Sequence, residues 1–220
     1  MISAALFAAT VATADSHYDQ ARRLVAEARA TVNVVRLIGL AWKIEEELRE
    51  TVRLAPDHLD ARLDLVRFYM VTPRLLGGSF PRARTEASEI SRRDPSLGHF
   101  ANGYIAYRQK QYAAARRDLR EAAKASRPST RILALTWLGW LSQETQQYDE
   151  AFWAFEKILS IAPTELAASY EIGRTAAFCR CRVERGDEAL VRYLASTPVG
   201  EMPSREQAEE LRQQLRPSQT

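Results

Sequence analysis

The chain contains few of the residues that build metal sites, disulfide scaffolds and nucleic-acid interfaces. Its 220 residues include two cysteines and three histidines, and only four of its 31 basic residues are lysine. His17, His58 and His99 lie far apart, and no histidine or cysteine pair has metal-ligand spacing, so we expect no metal. The basic residues are nearly balanced by 28 acidic ones. The arginines are scattered and do not cluster with aromatic residues, so we expect no nucleic-acid partner.

Long apolar runs and catalytic motifs are missing as well. No stretch reaches the ~20 apolar residues that a membrane-spanning helix needs, so no membrane span is predicted. The one glycine-rich loop, residues 75–79, lacks the lysine of a phosphate-binding loop and follows no predicted strand. It predicts a wide turn with glycines at positive φ, followed by a helix that Ser79 caps. Without a nucleophile elbow or an acid–base constellation, an enzyme is a remote alternative, and we expect no catalytic residue and no cofactor.

The first fourteen residues, MISAALFAATVATA, carry no charged side chain. They end in Ala12-Thr13-Ala14, which has the small-x-small form of a signal-peptidase site, although the segment lacks the usual basic residues at its start. We therefore predict that residues 1–14 are a signal peptide and that the mature protein is periplasmic or secreted. The alternative is a short N-terminal helix packed on the rest of a cytoplasmic protein.

The two cysteines, Cys179 and Cys181, are spaced C-x-C near the end of a predicted helix. Residues two apart on a helix point to nearly opposite sides, so this pair could not form a disulfide unless the helix unwound. Cys179 shares an apolar face with Ile172, Ala176 and Val183, which predicts a small core residue. A redox or metal role for the pair is the alternative.

A repeat of 34 to 36 residues organises the second half of the sequence. The markers Gly103, Tyr112, Ala115, Leu119 and Pro128 recur in the same order as Gly139, Tyr148, Ala151, Phe155 and Pro163. Small residues suit positions where two helices cross closely, an aromatic ring fills the space between neighbouring pairs, and a proline ends the second helix. The repeat therefore predicts a series of helix pairs.

These markers carry a resemblance to a known family. Residues 137–163, WLGWLSQETQQYDEAFWAFEKILSIAP, resemble the tetratricopeptide repeat. Two further segments are similar to a group of exported bacterial tetratricopeptide proteins: Tyr69, Pro73, Gly77, Gly78 and Ala83 in the first, and residues 170–177 in the second. The resemblance implies an all-α fold, a right-handed superhelical solenoid of antiparallel helix pairs.

The chain divides into four parts on this basis. After residues 1–14, residues 15–57 are predicted to form N-terminal helices of an atypical or partial repeat, and residues 58–200 the repeats. Ile172-Gly173 follows Leu138-Gly139 by 34 residues, but its turn is expected late, at residues 185–189, after one additional turn of helix. Residues 201–220 are expected to hold a polar capping helix that begins with a capping box at residues 204–207.

The resemblance also indicates where a partner would bind. In tetratricopeptide arrays the first helix of each pair lines a concave groove. The corresponding residues here are Arg67, Phe100, Tyr104, Tyr107, Arg108, Trp140, Gln143, Tyr170, Arg174 and Phe178, with Leu63 and Thr136 at further positions. Aromatic side chains and arginine most often anchor protein interfaces, and this set contains no carboxylate. Alternatively, half of these residues pack against the terminal helices. The Lys and Asn positions of the family's carboxylate clamp are absent.

These observations favour a non-catalytic scaffold that binds a partner protein or peptide in the groove, in the cell envelope. The alternative is self-assembly through the edge left by the late turn and the weakly apolar last helix, which would make the protein a homo-oligomer. Outside the groove, Trp42, Trp137 and Trp153 are expected to pack between helices, and residues 45–47 to form a solvated acidic run. After Pro56, His58 is expected to start a helix.

Overall fold

The computed structural model describes residues 2–196 and 202–216, and within these ranges the chain is helical with no strand. The helices are α1 (Ile2–Ala30), α2 (Val34–Leu54), α3 (Leu59–Val71), α4 (Phe80–Arg93), α5 (Pro95–Arg108), α6 (Tyr112–Ala122), α7 (Pro128–Glu144), α8 (Tyr148–Ile161), α9 (Leu166–Cys179), α10 (Val183–Leu194) and α11 (Arg205–Leu215). None of the helices described is long and apolar enough to cross a bilayer. Met1 of the predicted signal peptide, and residues 201 and 217–220 of the predicted cap, lie outside the described residues.

The chain forms two compact units, Met1–Gln111 and Tyr112–Thr220. In the first unit, α1 packs on α2, α2 on α3, α3 on α4, and α4 on α5. Helix α2 buries the stripe Leu40, Ile44 and Leu48, which recurs every four residues as an amphipathic helix requires. Helix α3 is instead buried on most of its sides, because helices pack on it from both directions.

The helices of the first unit begin where the sequence provides a side-chain cap. His58 Nδ1 accepts a hydrogen bond from the backbone N–H of Ala61 at 3.1 Å, and Asp94 caps α5 in the same way through Leu97. Ser79 Oγ accepts from the N–H of Arg82 at 3.5 Å. These caps satisfy N–H groups that have no partner inside the helix, and they confirm the helix starts predicted at His58 and Ser79.

The glycine-rich loop closes the connection between α3 and α4. A single 3-10 turn, Arg74–Leu76, leads into Gly77, whose φ of 108° is in the region that favours glycine. A Cβ at Gly77 would lie 2.7 Å from Oε2 of Glu45, so the loop passes directly over α2. The predicted wide turn is confirmed, although only the first of its two glycines has a positive φ.

In the second unit, successive helices from α6 to α11 pack on one another, and α11 also packs on α9. A Cβ on Gly139 would lie 2.4 Å from the ring of Phe155, so α7 and α8 approach as closely as the repeat predicts. Helix α8 ends at Ile161, before Pro163. Helix α11 begins with the predicted capping box, formed by Ser204 and Gln207, and buries Ala208 and Leu215.

The predicted position of the last turn was wrong. Helix α9 ends at Cys179 and α10 begins at Val183, so the turn lies at residues 180–182 and α9 has no additional turn. Arg180 and Arg182 both adopt left-handed backbone conformations, with φ of 52° and 48°. Because the chain leaves the helix here, Cys179 and Cys181 come within 5.1 Å at their Cα atoms and form a disulfide. The prediction of an unpaired Cys179 was therefore also wrong, although Cys179 is partly buried against the core of the second unit as expected.

Three predictions about α2 and α8 were wrong, two for tryptophans and one for a glutamate. Trp42 is 60% exposed and Trp153 is 45% exposed. Trp42 follows the buried Leu40 by two residues and therefore lies on the opposite side of α2. Glu45 was expected in solvent, but it is largely buried under the glycine-rich loop, where its Oε1 accepts hydrogen bonds from Arg82 at 2.6 Å and Tyr69 at 3.3 Å.

Candidate functional site

The predicted groove residues of the first unit lie on α3 and α5, and two of them are buried. Phe100 is fully buried and Tyr104 is 3% exposed, with their rings stacked 6.5 Å apart on successive turns of α5. Burial raises the pKa of the Tyr104 hydroxyl. Arg67 is half-buried and bonds Asp64 at 2.9 Å, Tyr107 is half-buried, and Arg108 is exposed. Phe100 and Tyr104 therefore support the fold, and neither offers a surface to a partner.

The predicted residues of the second unit come together on two helices that contact each other. Trp140 and Gln143 lie near the C-terminal end of α7, and Arg174 and Phe178 lie in the second half of α9. We call the surface formed by Trp140, Gln143, Glu171, Arg174 and Phe178 the α7/α9 face. Tyr170 is on the same helix but is buried, with its ring 5.3 Å from that of Tyr193.

A closed hydrogen-bond network holds the polar members of this face. The amide of Gln143 donates to Oε2 of Glu171 at 3.1 Å and to the Thr175 hydroxyl at 2.8 Å. Its oxygen accepts from Nη2 of Arg174 at 2.7 Å, and the same guanidinium nitrogen lies 2.8 Å from Glu171. Because Gln143 bridges from α7 to three side chains of α9, the network fixes the position of Arg174.

Glu171 is the carboxylate at the centre of the network, and the groove set carried over from the family did not include it. It is 8% exposed, and burial raises its pKa, although the nearby charge of Arg174 and hydrogen bonds partly offset that effect. The Trp140 indole also favours the charged form of Glu171, but its Nε1 has no partner in hydrogen-bond geometry. The sequence signal for Glu171 was its place in a helix whose other positions are mostly buried, between Tyr170 and Ile172.

Aromatic rings frame this network. Phe178 is 55% exposed, and the guanidinium of Arg174 lies 5.6 Å from the centre of its ring, within cation–π distance. Trp140 is half-buried and meets Trp137 edge to face at 5.2 Å. The face thus combines an exposed ring, an oriented arginine and a partly covered indole.

Two donors of the α7/α9 face have no acceptor among the described residues. They are Nε1 of Trp140 and Nε of Arg174. Both nitrogens are buried, so each costs roughly 1–3 kcal/mol without a partner and neither is presented to another molecule.

A cleft lies along α2 in the first unit. It has a volume of about 610 Å³, lies beside the exposed Trp42 and is lined otherwise by glutamates and arginines. These charges largely pair with one another, as Arg53 does with Glu50 and Arg82 with Glu45. The cleft therefore has no excess charge of either sign to recognise a ligand. Within the described residues, no group of three or more His, Cys, Asp and Glu side chains is placed to hold a metal ion.

No protein-family model matches the chain, and no curated protein matches it by sequence. Solved structures resemble it in fold. PilF of Pseudomonas aeruginosa is 16% identical with a TM-score of 0.64, over 94% of this chain and 84% of that one. PilW, described as a widely conserved type IV pilus biogenesis factor, is 14% identical with a TM-score of 0.55, over 89% and 96%. A MamA structure is 17% identical with a TM-score of 0.50, over 87% and 98%.

At these identities the likeness shows the fold alone. It confirms the predicted fold class, an all-α solenoid of tetratricopeptide-like helix pairs. What any of the three proteins binds or assembles does not transfer with the fold.

Proposed function

We propose that the chain is a non-catalytic scaffold that binds a segment of a partner protein on the α7/α9 face. The observation that carries the proposal is the exposed ring of Phe178, which lies 5.6 Å from a guanidinium that Gln143 and Glu171 hold in place, that of Arg174. Aromatic rings and arginine anchor protein interfaces more often than other side chains, and a rigid support lowers the entropy lost on binding.

The chemistry of the face favours a polypeptide segment over a small ligand. The ring of Phe178 suits an apolar side chain of such a segment, and the partly exposed guanidinium of Arg174 suits a carbonyl or carboxylate oxygen next to it. The face is open at Phe178, which is 55% exposed, whereas a small molecule is usually bound with most of its surface buried. Arg67, Tyr107 and Arg108 of the first unit stay predicted partner contacts.

Site-specific photo-crosslinking tests the proposal directly. A photoreactive benzoylphenylalanine in place of Phe178 should cross-link a protein partner in the native cell. Trp153, an exposed aromatic residue on α8 outside the face, provides the matched control position. A partner that cross-links equally well from both positions, or from neither, would contradict binding at the α7/α9 face.

A purified partner segment then permits a quantitative test. Phe178→Ala should weaken binding about tenfold or more, as expected for the loss of an interface anchor, whereas Trp153→Ala should leave the dissociation constant unchanged. Isothermal titration calorimetry measures both. Equal affinity of the Phe178→Ala variant and the original protein would exclude Phe178 as an anchor.

We also propose that the protein works in the cell envelope, on the basis of its first fourteen residues. Self-assembly is less well supported, because α11 packs on both α9 and α10 and its Arg212 bonds Asp187 at 2.6 Å. The last repeat is therefore covered by its own chain. Light scattering of the purified protein at increasing concentration should give the mass of one chain, and a dimer would return self-assembly as the better proposal.

A further inference from the structure

The turn between α9 and α10 differs from the equivalent turns of the earlier repeats. The turn after α5 holds one non-glycine residue in the left-handed region, Lys110, and the turn after α7 also holds one, Gln146. The turn after α9 holds two, Arg180 and Arg182. Of these four residues, Arg180 is the one that lies between two bonded cysteines.

The disulfide ring encloses this residue. Cys179 and Cys181 flank Arg180 alone, so the φ of 52° at Arg180 is part of the ring, whereas the φ of Arg182 lies outside it. A left-handed conformation is unfavourable for a residue with a Cβ, so the closed ring holds backbone strain at Arg180. A strained disulfide is more easily reduced than a relaxed one.

The short ring also stabilises the fold little. The entropy that a disulfide removes from the unfolded chain grows with the length of the loop it closes, and this loop contains a single residue between the two cysteines. Helix α9 is held in any case by its packing on α7, α8, α10 and α11. A disulfide that is strained and adds little stability is poorly suited to a structural role.

The surroundings of the pair suit thiols as well as a disulfide. Both cysteines are partly buried, and Sγ of Cys179 lies 3.7 Å from the carbonyl oxygens of Ala176 and of Cys181. These oxygens would accept a hydrogen bond from the Cys179 thiol after reduction.

We propose that Cys179–Cys181 is a reversible thiol–disulfide exchange site that a dithiol reductant opens. One thiolate of the reductant attacks a sulfur of the pair, the Sγ–Sγ bond breaks, and the other cysteine leaves as a thiolate that takes up a proton. The second thiol of the reductant attacks the mixed disulfide and releases the remaining cysteine. The pair gains two electrons and two protons, and the reductant departs as a disulfide.

Reduction also has a consequence for the α7/α9 face, and this part of the inference rests on the proposed function. Phe178 directly precedes Cys179 in the last turn of α9. Opening the bond removes the covalent link between the end of α9 and the start of α10, so the last turn of α9 becomes free to fray. The redox state of the pair would then set how well Phe178 is presented to a partner.

Thiol alkylation measures the exchange without any partner, so its outcome is independent of the proposed function. The sequence contains no other cysteine, and each alkyl group added therefore reports on this pair. In native buffer, dithiothreitol should allow two alkyl groups to be added while the helical circular dichroism is retained. Protection of the pair until denaturant is added, or two free thiols in protein oxidised with diamide, would overturn the proposal.

A pair of variants tests the strain itself. Arg180→Ala and Arg180→Gly both remove the Arg180 side chain, but only glycine adopts a positive φ without cost. In a glutathione buffer of fixed composition, the ratio of reduced to oxidised protein should be about fivefold lower for the glycine variant. Equal ratios would show that the ring does not strain Arg180.

Hydrogen exchange and binding test the coupling to the face. Amide exchange in the peptide that spans residues 174–183 should be faster in the reduced protein, and a Cys179→Ser/Cys181→Ser variant should match it. If the exchange rates change but the affinity for a cross-linked partner segment does not, the coupling is wrong while the exchange site stands. If no partner is found, the alkylation result still decides the exchange.

Discussion

Gly139 and Gly39 are both helical glycines, and their surroundings differ completely. The position of a Cβ on Gly139 is occupied by the ring of Phe155, whereas nothing lies within 4 Å of a Cβ on Gly39 in α2. A helical glycine loses conformational freedom that alanine does not, so alanine is favoured wherever there is space for it. The two positions therefore respond to the same substitution with opposite sign.

We predict that Gly139→Ala lowers the free energy of unfolding by about 1–3 kcal/mol, because the ring of Phe155 must move. Gly39→Ala should raise it by about 0.5–1 kcal/mol. Urea denaturation followed by circular dichroism measures both. A stabilised Gly139→Ala variant would show that α7 and α8 do not cross as closely as described.

Glu171 gives the stability of the protein a specific pH dependence. Its pKa is raised in the folded protein from the ordinary value of 4.5, so between these two values the folded state binds a proton that the unfolded state has lost. Its contribution to stability is therefore complete below the ordinary pKa and is lost as the pH rises through the raised value. Glu171→Gln removes this titration and keeps the shape of the side chain.

We predict that the Glu171→Gln variant loses less stability than the original protein as the pH rises above 4.5 through the raised pKa of Glu171. Urea midpoints measured across this range give the comparison. Parallel pH curves for the two proteins would mean that Glu171 titrates alike in the folded and unfolded states.

Contacts between residues that recur with the repeat were predictable from the sequence, and contacts within side-chain networks were not. Gly139 and Phe155 recur in register with earlier markers, so their contact follows from the repeat itself. Glu171 has no counterpart at the marker positions, and only the three-dimensional arrangement shows that Gln143 and Arg174 surround it. Phe100 was predicted at a groove position because helical phase alone does not show which face a neighbouring helix covers.

At the scale of helices, the starts and ends of helices were predictable where a capping side chain or a proline marks them. Ser204, His58 and Pro163 were recognised from the sequence. The end of α9 has neither signal, because its helical pattern continues through Ala176 and Cys179 to Val183. The turn there contains Arg180 and Arg182 in left-handed conformations, which an arginine in the sequence does not indicate. The apolar pattern therefore predicted too long a helix.

The capping box of α11 leads to a third prediction. Ser204→Ala should lower the free energy of unfolding by about 1 kcal/mol, because the N–H of Gln207 loses its acceptor and the helix that covers α9 and α10 is weakened. Ser204→Asp should restore most of that loss, since aspartate caps helices equally well. Thermal melts compare the three proteins, and an alanine variant as stable as the original would show that α11 does not depend on its cap.

At the scale of the whole molecule, the fold class followed from the period of 34 to 36 residues, and the structural neighbours confirm it. The biological context is a different matter, since a fold of this kind serves many partners. The N-terminal segment is the part of the chain that carries information on cellular location. Helix α1 is held in the first unit by contacts from beyond residue 14, including Tyr18 with Asp64 at 3.0 Å and the buried Leu24.

We predict that the mature protein begins at Asp15. Cleavage after Ala14 would retain the contacts of Tyr18 and Leu24, so the first unit should stay folded. Mass spectrometry of the intact protein purified from its native cell gives the N-terminus. A mature chain that keeps residues 1–14 would place the protein outside the pathway that such a cleavage site implies.

The edge-to-face pair of Trp137 and Trp140 has one more consequence, which concerns spectroscopy. Two indoles 5.2 Å apart and inclined at 76° have transition dipoles that couple, so this pair should produce an exciton couplet in the circular dichroism spectrum. The exposed Trp42 and Trp153 contribute no such signal unless they approach another indole. The α7/α9 face therefore contains its own chromophore, and a partner that settles against Trp140 would change the couplet without any label.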